Sequence, residues 1–564
     1  LVKTCVPTKR AMDDPDTWSI PLENVFNGFE HRVPTDEDGE EIGKEHLRHS
    51  LSMKIDCDLL RGVSLAISLS AWGRHWSSSG RTSMYQAGSR DYSLSFVVSE
   101  FATFISHDWQ SSRWLKFLTL LWIFNLRGAT ITSLVVAVVW GSLMGLGLVP
   151  PAIWTLFIPW FVFFFVLCFW QRLRGLIRSP VVVFMDKLCI SQDNLELKAK
   201  GIQGLGAFLD CSKTLTILWS PQYFTRLWCV YELATYLRED KVKPVNLMPV
   251  AMSVVILLMC ISGMLMMIPY QVAHHEVVSD WRYWADSARG ARGTIGWATL
   301  FKVVAFVAAI ASVCFPIVFY VGIGVIRNVE NLNSQLSDFS VRKSNCFCCM
   351  CNHRNPDTGQ RVPCDRDAVF KMLRSWYSEK DDKEEEYLDR FDEVVRVRLS
   401  TIALQGARTA QLPFRLAMYL AFAISACELQ KSVQFFILEA VHEGFEDLKS
   451  MLQALFDYSG AHFLNHLAVF LFYLWLFFEL CSAGPSLMLW IPRLPAALLL
   501  SFLMILGFGC FWFTTVVVNA VVRESLPSHP STPALVRFAW LVLCVSLWQM
   551  RRVICSSSSK THCP

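Results

Sequence analysis

From residue 128 to residue 171 the chain carries no Asp, Glu, Lys, Arg or His. A bilayer crossing takes about 20 apolar residues, so this run holds two crossings, divided at Pro150-Pro151. Two crossings return a chain to the side it left. Whatever precedes residue 128 therefore shares a compartment with whatever follows residue 171. Phe104-Ile-Ser-His-Asp-Trp109 ends the first flank, and Asp186-Lys-Leu-Cys-Ile-Ser-Gln192 and Arg226-Leu-Trp-Cys-Val-Tyr-Glu-Leu-Ala234 lie in the second. The pattern predicts one soluble domain assembled from both sides of a membrane hairpin.

Further apolar runs extend this picture. Over 564 residues the chain is 53% hydrophobic, with a mean hydropathy of +0.35, which excludes an ordinary soluble protein. Charge-free stretches predict six spans: roughly 129–149, 152–170, 250–270, Val303–Ile326, 463–483, and one within Leu494–Val522. Leu416–Cys427 and Phe538–Met550 are shorter and suit tilted spans or interfacial helices. Arg113, Lys116, Arg127, Arg172, Arg174 and Arg178 flank the first hairpin, and Lys241, Lys243, Arg327 and Arg551-Arg552 flank later spans. Basic flanks mark the cytosolic side, which places the split domain in the cytosol; Arg282, Arg289 and Arg292 in the 271–302 loop are a counter-signal. The opening residues, with Asp36–Glu41, resemble neither a signal nor a transit peptide, so the first internal span is expected to lead membrane entry. A net charge of +4 gives no groove for nucleic acid, and 19 scattered cysteines suit a reducing compartment. Glu428, His466 and Glu479 are the ionisable candidates in the later bundle; each lies near a segment end, where snorkelling at the interface is expected.

In the soluble halves, strand and helix signals alternate. Phe101–Ser106, Pro180–Met185, Thr214–Ser220 and Val245–Val250 read as strands, and Arg113–Leu126, Lys198–Leu209 and Arg226–Leu237 as helices. Such alternation gives a small parallel α/β sheet, whose site lies beyond the carboxyl ends of the strands. Those ends are Ser106-His107-Asp108-Trp109, Asp186-Lys187 and Trp219-Ser220. The fold class expected is an α/β cytosolic domain combined with an all-α multi-pass transmembrane bundle.

These residues resemble a known family. Phe-Ile-Ser-His-Asp-Trp is similar to the opening strand of TIR domains, and Arg226–Ala234 to their Trp-Cys-x-x-Glu-Leu helix. Asp186-Lys-Leu-Cys-Ile-Ser-Gln-Asp193 resembles the Asp-x-x-Cys-Ile-Asn-Gln-x-Asp signature of the related HET domains. The whole looks like a TIR/HET-like module of roughly residues 94–250, carried in multi-pass proteins of protists, dinoflagellates especially. The resemblance implies signalling or scaffolding through other TIR-like domains or a homo-oligomer. It also implies NAD(P) as a substrate: enzymatic TIR domains cleave the nicotinamide–ribose bond with the glutamate of that helix, which is Glu232 here. A carboxylate suits the oxocarbenium-like state of glycosidic cleavage. Ser106, His107, Asp108, Trp109, Asp186, Lys187 and Trp228 are the candidate ligand contacts.

Plainer readings stand beside these. Glu232 can pair with Arg226 or Lys187 in an early helix turn. Trp228 and Cys229 suit a core, and Asp186 a turn cap. His107 and Asp108, adjacent on a strand, point to opposite faces and suit a structural strand end. A channel or transporter with a regulatory TIR-like part is the third class of function.

The remaining divisions follow from composition. Residues 1–93 read as mostly disordered, 94–127 and 172–250 as the domain halves, and 251–326 as two spans around a non-cytosolic loop. Residues 327–411 form a cytosolic, Cys-rich and charged helical segment. There Cys346, Cys348, Cys349 and Cys351 suit S-palmitoylation or plain thiols. Cys346, Cys349, Cys351, His353 and Cys364 are the alternative, a zinc set. Residues 412–550 form a C-terminal membrane region with an amphipathic helix over 433–456, and 551–564 a tail.

Overall fold

The β-branched and aromatic runs of the sequence form a six-stranded sheet in the computed structural model. It describes residues 56–77, 89–150, 152–237, 244–277, 297–350, 352–354, 359, 361, 364–378, 383, 385–407, 413–442, 444–525 and 538–549. The chain divides into two units. The first comprises Leu1–Phe124, Gln171–Ser253 and Asn328–Ala407, and the second Asn125–Trp170, Val254–Arg327 and Arg408–Pro564.

The sheet lies in the first unit. Its strands are β1 (Arg61–Ser64), β2 (Phe96–Val97), β3 (Phe101–His107), β4 (Val182–Phe184), β5 (Ser212–Trp219) and β6 (Val245–Pro249), in the order β2-β1-β4-β3-β5-β6. β3 pairs in parallel with both β4 and β5, and β5 with β6, whereas β1 is antiparallel to β2 and β4. Phe104 of β3 sits opposite Phe184 of β4, so strands from the two sides of the charge-free run are direct neighbours. Their rings stack at 4.3 Å, and Phe208 packs on Phe184 at 4.6 Å. Burying each such ring stabilises the fold by about 1.5–3 kcal/mol. Thr103 and Thr216 share a buried hydroxyl contact of 2.8 Å between the middle strands.

Two expectations for this unit need correction. The domain does not begin at residue 94: β1 and the buried Leu60, Val63, Leu65 and Trp76 belong to it. β1 lies close against β4, where a Cβ on Gly62 would meet Val182 Cγ1 at 2.5 Å. Such an approach favours a bare backbone. The helix expected over Lys198–Leu209 is two, Leu195–Gln203 and Leu205–Asp210, the first capped by Asn194, whose side chain accepts from the Glu196 and Leu197 amides. Among the described cysteines of this unit Cys57 is in a disulfide, and Cys189, Cys229, Cys346, Cys348, Cys349 and Cys364 are free thiols.

Six helices among the described residues are long and apolar enough to cross a membrane: Leu126–Gly145, Ile153–Gly175, Met252–Val272, Phe301–Ser337, Asn465–Leu487 and Arg493–Thr514. Phe414–Ile424 and Phe538–Gln549 are shorter apolar helices. In the second unit the helix Ala426–His442 lies against Leu126–Gly145, and the small residues of Gly141-Ser-Leu-Met-Gly145 permit the approach. A Cβ on Gly141 would stand 2.4 Å from the Gln430 carbonyl, and one on Gly145 would stand 2.6 Å from Ile437 Cβ. Two glycines four apart form this kind of close helix seam.

The continuous helix expected over 433–456 is also corrected. Ala426–His442 and Leu448–Tyr458 are separate helices. Gly444 takes a left-handed φ of +72°, and Asp447 starts the second helix with a capping box through Ser450.

Glu428 and His466 depart from the snorkelling expected of them. Both are buried in the second unit, with Lys431 Nζ 3.5 Å and His466 Nδ1 3.8 Å from the Glu428 carboxylate, which also accepts from Gln271 Nε2. Glu479 is half-buried.

Candidate functional site

Along the parallel strands the order is 2-1-3-4: from β3 the chain crosses to β4 on one side, then returns to β5 on the other. Beyond the carboxyl ends of β3 and β5, where the winding reverses, a doubly wound sheet has its ligand crevice. β3 delivers Ser106 and His107 to this end, and side-chain alternation sends them to opposite faces.

On one face, Ser106 is buried against the helix Leu227–Leu237. Its hydroxyl donates to Glu232 Oε2 at 2.5 Å and shares a 2.6 Å contact with the buried Tyr223 hydroxyl. The Glu232 carboxyl is half-buried. Burial raises its pKa to about 8, reinforced by Asp186 and opposed by the Ser106 hydrogen bond and Arg226. At neutral pH this carboxyl largely keeps its proton, and it ionises within the range where a general acid–base group works. Tyr223 was not singled out from the sequence; it stands in a short 3₁₀ turn, Tyr223–Thr225, just before the helix.

On the other face His107 is buried between Trp76 and Trp109, at ring distances of 5.0 and 4.4 Å. Its Nε2 has no hydrogen-bond partner. Burial, with Lys116 and Arg226, pushes its pKa well below the usual value, so the imidazole is neutral. Asp108 is fully buried and accepts from the Gln110 amide at 3.0 Å and the Ser220 hydroxyl at 3.3 Å, with Arg226 Nε at 4.0 Å. Lys116 Nζ donates to the Asp108 carbonyl at 3.0 Å, and burial lowers its pKa to about 8. These contacts hold His107 and Asp108 beneath the strand end.

Asp186 and Lys187 come from the other side of the hairpin and meet Trp109. The indole donates to Asp186 Oδ2 at 2.9 Å, and the amines of Lys116 and Lys187 stand 5.2 and 5.9 Å from its ring. Asp186 is half-buried, and desolvation raises its pKa against the hydrogen bonds from Trp109 and the Lys187 amide. Ser106, Tyr223 and Glu232 thus form one hydrogen-bonded cluster, and Trp109 and Asp186 a second. Trp228 joins neither. Its indole donates to Asp365 Oδ2 at 3.3 Å.

That contact belongs to a segment with no sequence signal for packing on this helix. Asn345 donates to the Thr225 carbonyl at 2.7 Å and accepts from the Leu227 amide at 3.1 Å. Trp376 stacks on Tyr231 at 5.5 Å. Between these attachments the sulfurs of Cys346, Cys348, Cys349 and Cys364 all lie within 4.8 Å of one another, and the four could hold a metal ion. His353 is not among them, and Cys351 lies outside the described residues. No protein-family model matches the chain, nor does any curated protein or any solved structure.

Proposed function

We propose that the chain is a multi-pass membrane signalling protein whose TIR/HET-like domain faces the cytosol, binds NAD(P) at the Ser106–Glu232 end of its sheet and cleaves the nicotinamide–ribose bond. The observation that carries this reading is the half-buried Glu232 carboxyl at the point where the winding reverses, hydrogen-bonded to Ser106. The resemblance of Arg226–Ala234 to the Trp-Cys-x-x-Glu-Leu helix points to the same residue. Ionised, Glu232 stabilises positive charge developing on the ribose. The C–N bond breaks with its electron pair leaving on nicotinamide, which departs neutral. Water adds to the ribosyl cation and loses a proton to solvent, giving ADP-ribose. Ser106 fixes the carboxylate, and Trp109 offers an aromatic edge beside Asp186. The basic flanks of the apolar runs support the cytosolic side.

The test is NAD and NADP consumption by the full chain in nanodiscs, beside Glu232→Gln. Turnover that vanishes in the variant supports the reading. Folded protein with no turnover of either nucleotide overturns the enzymatic part and leaves a module that works by contact with TIR-like domains or a second copy.

One observation favours a second reading, ion-coupled transport. Glu428, Lys431 and His466 are buried together, and His466 and Tyr270 also line a cavity of about 120 Å³ in the same unit. Buried ionisable groups in membrane bundles mark ion pathways. Proton uptake into proteoliposomes that is absent in Glu428→Gln supports it; equal uptake in both, at the level of empty vesicles, removes it.

A further inference from the structure

We propose that Cys346, Cys348, Cys349 and Cys364 bind one Zn²⁺ as a closed four-thiolate site that fastens the 344–377 segment onto the helix carrying Trp228 and Glu232. Cys346 Sγ lies 3.1 Å from Cys348 Sγ and 3.1 Å from Cys349 Sγ, and Cys349 Sγ is 3.9 Å from Cys364 Sγ. A disulfide holds its sulfurs at about 2.05 Å, so these distances are too long for one. Four sulfurs around zinc at about 2.3 Å stand roughly 3.8 Å apart along each tetrahedral edge, and the cluster is drawn up on that scale.

The framework suits a structural ion. Three thiols come from one short turn around Phe347–Met350, and the fourth from the N-cap of the helix Asp365–Tyr377. The Asp365 amide donates to Cys348 Sγ at 3.2 Å, the kind of outer contact that steadies a metal-bound thiolate. Binding converts four thiols to thiolates and releases four protons, leaving a charge of −2 on the centre. Arg354, Arg361 and Arg366 lie in the same segment, and Lys343 directly precedes it. With four protein ligands no position stays open for water, so the site is structural. Cys346 and Cys348 are 1% and 3% exposed, a poor presentation for the acyl transfer that the sequence also suits.

The consequence is local. The metal closes the chain between Cys349 and Cys364, and its two arms are the ones that hold the site helix: Asn345 on Thr225 and Leu227, Asp365 on Trp228, Trp376 on Tyr231.

The experiment is metal analysis of the full chain purified in detergent without chelator, beside Cys348→Ser, Cys364→Ser and His353→Asn. About one zinc per chain is expected in the parent and in His353→Asn, and less than about a tenth in the cysteine variants. Because a cysteine variant can fail to fold, the parent is also stripped and titrated with Co²⁺. Thiolate-to-cobalt charge transfer with tetrahedral d–d bands at one equivalent supports the site. Parent protein without zinc and without that spectrum overturns it. So does zinc that persists in folded Cys364→Ser, or acyl chains on these cysteines by mass spectrometry.

Discussion

Replacing Glu232 by Gln should stabilise the first unit at alkaline pH. The carboxyl has an ordinary pKa of 4.5, raised to about 8 in the folded state chiefly by burial. Below pH 4.5 both folded and unfolded chains hold the proton, and the residue costs nothing. Between 4.5 and 8 only the unfolded chain ionises, so folding stability falls as pH rises. Above 8 both are ionised and the loss is constant. A shift of this size corresponds to about 5 kcal/mol at about 1.36 kcal/mol per unit. Water reaching a half-buried group reduces this to about 1–2 kcal/mol. Gln keeps an oxygen that accepts from Ser106 and never ionises. The assay is peptide-resolved hydrogen exchange over Leu227–Leu237, corrected for the intrinsic pH dependence of exchange. Parent and variant should match near pH 4.5, and the variant should gain about ten-fold in protection by pH 8.5, which is 1.4 kcal/mol. A variant less protected at pH 8.5, or a difference that does not change with pH, would refute the assignment of the burden to this carboxyl.

Three further perturbations address other parts of the arrangement. If Glu232 acts as a carboxylate, kcat/KM for NAD should rise with pH through about 8; in Ser106→Ala the midpoint should move higher, because the lost hydrogen bond favours the ionised form. Arg226→Met removes the guanidinium 4.0 Å from the buried Asp108 side chain, which keeps Lys116 beside it and its hydrogen bonds from Gln110 and Ser220, and should cost about 1–2 kcal/mol in chemical denaturation, with Arg226→Lys losing less. Gly141→Val drives a side chain into the Gln430 carbonyl and should cost about 1–3 kcal/mol, seen as a lower melting temperature of the detergent-solubilised protein.

The sequence revealed those elements whose local pattern and tertiary role agree. β3 to β6 are apolar or β-branched runs with both faces covered, and such runs announce themselves. β1 does not: Arg61-Gly-Val-Ser64 holds one large apolar residue, and its place is set by neighbours far along the chain. Ser106 and Glu232 were legible as motif residues, but Tyr223 and the Asp365–Trp228 contact depend on a 3₁₀ turn and on a segment more than a hundred residues away. Ala426–His442 was misleading for the opposite reason. Its polar residues suggest a wet face, yet Glu428, Gln430, Lys431 and Gln434 are buried. They are admitted by the glycine seam of the facing helix and by one another's charges and amides.

The division of the sheet by a hairpin is physically less demanding than the separation of Phe104 from Phe184 suggests. Loop closure grows only slowly with length for a flexible chain, and this connection is not flexible. Its two helices are bound to each other: Asn125 Nδ2 donates to the Leu167 carbonyl at 2.8 Å, Ser133 Oγ to the Pro159 carbonyl at 2.7 Å, and Gly128 lies under the Trp170 ring. An antiparallel pair of helices returns the chain beside its point of departure. β4 has three residues, too few to fix a register unaided. It is set by β3 on one edge and β1 on the other, both of which precede the hairpin. β4 therefore completes the sheet between two strands that both lie before the hairpin in the chain. The residue after β4, Met185, leads into Asp186, which accepts from the Trp109 indole at 2.9 Å, so the carboxyl end of the sheet draws its residues from both sides of the charge-free run.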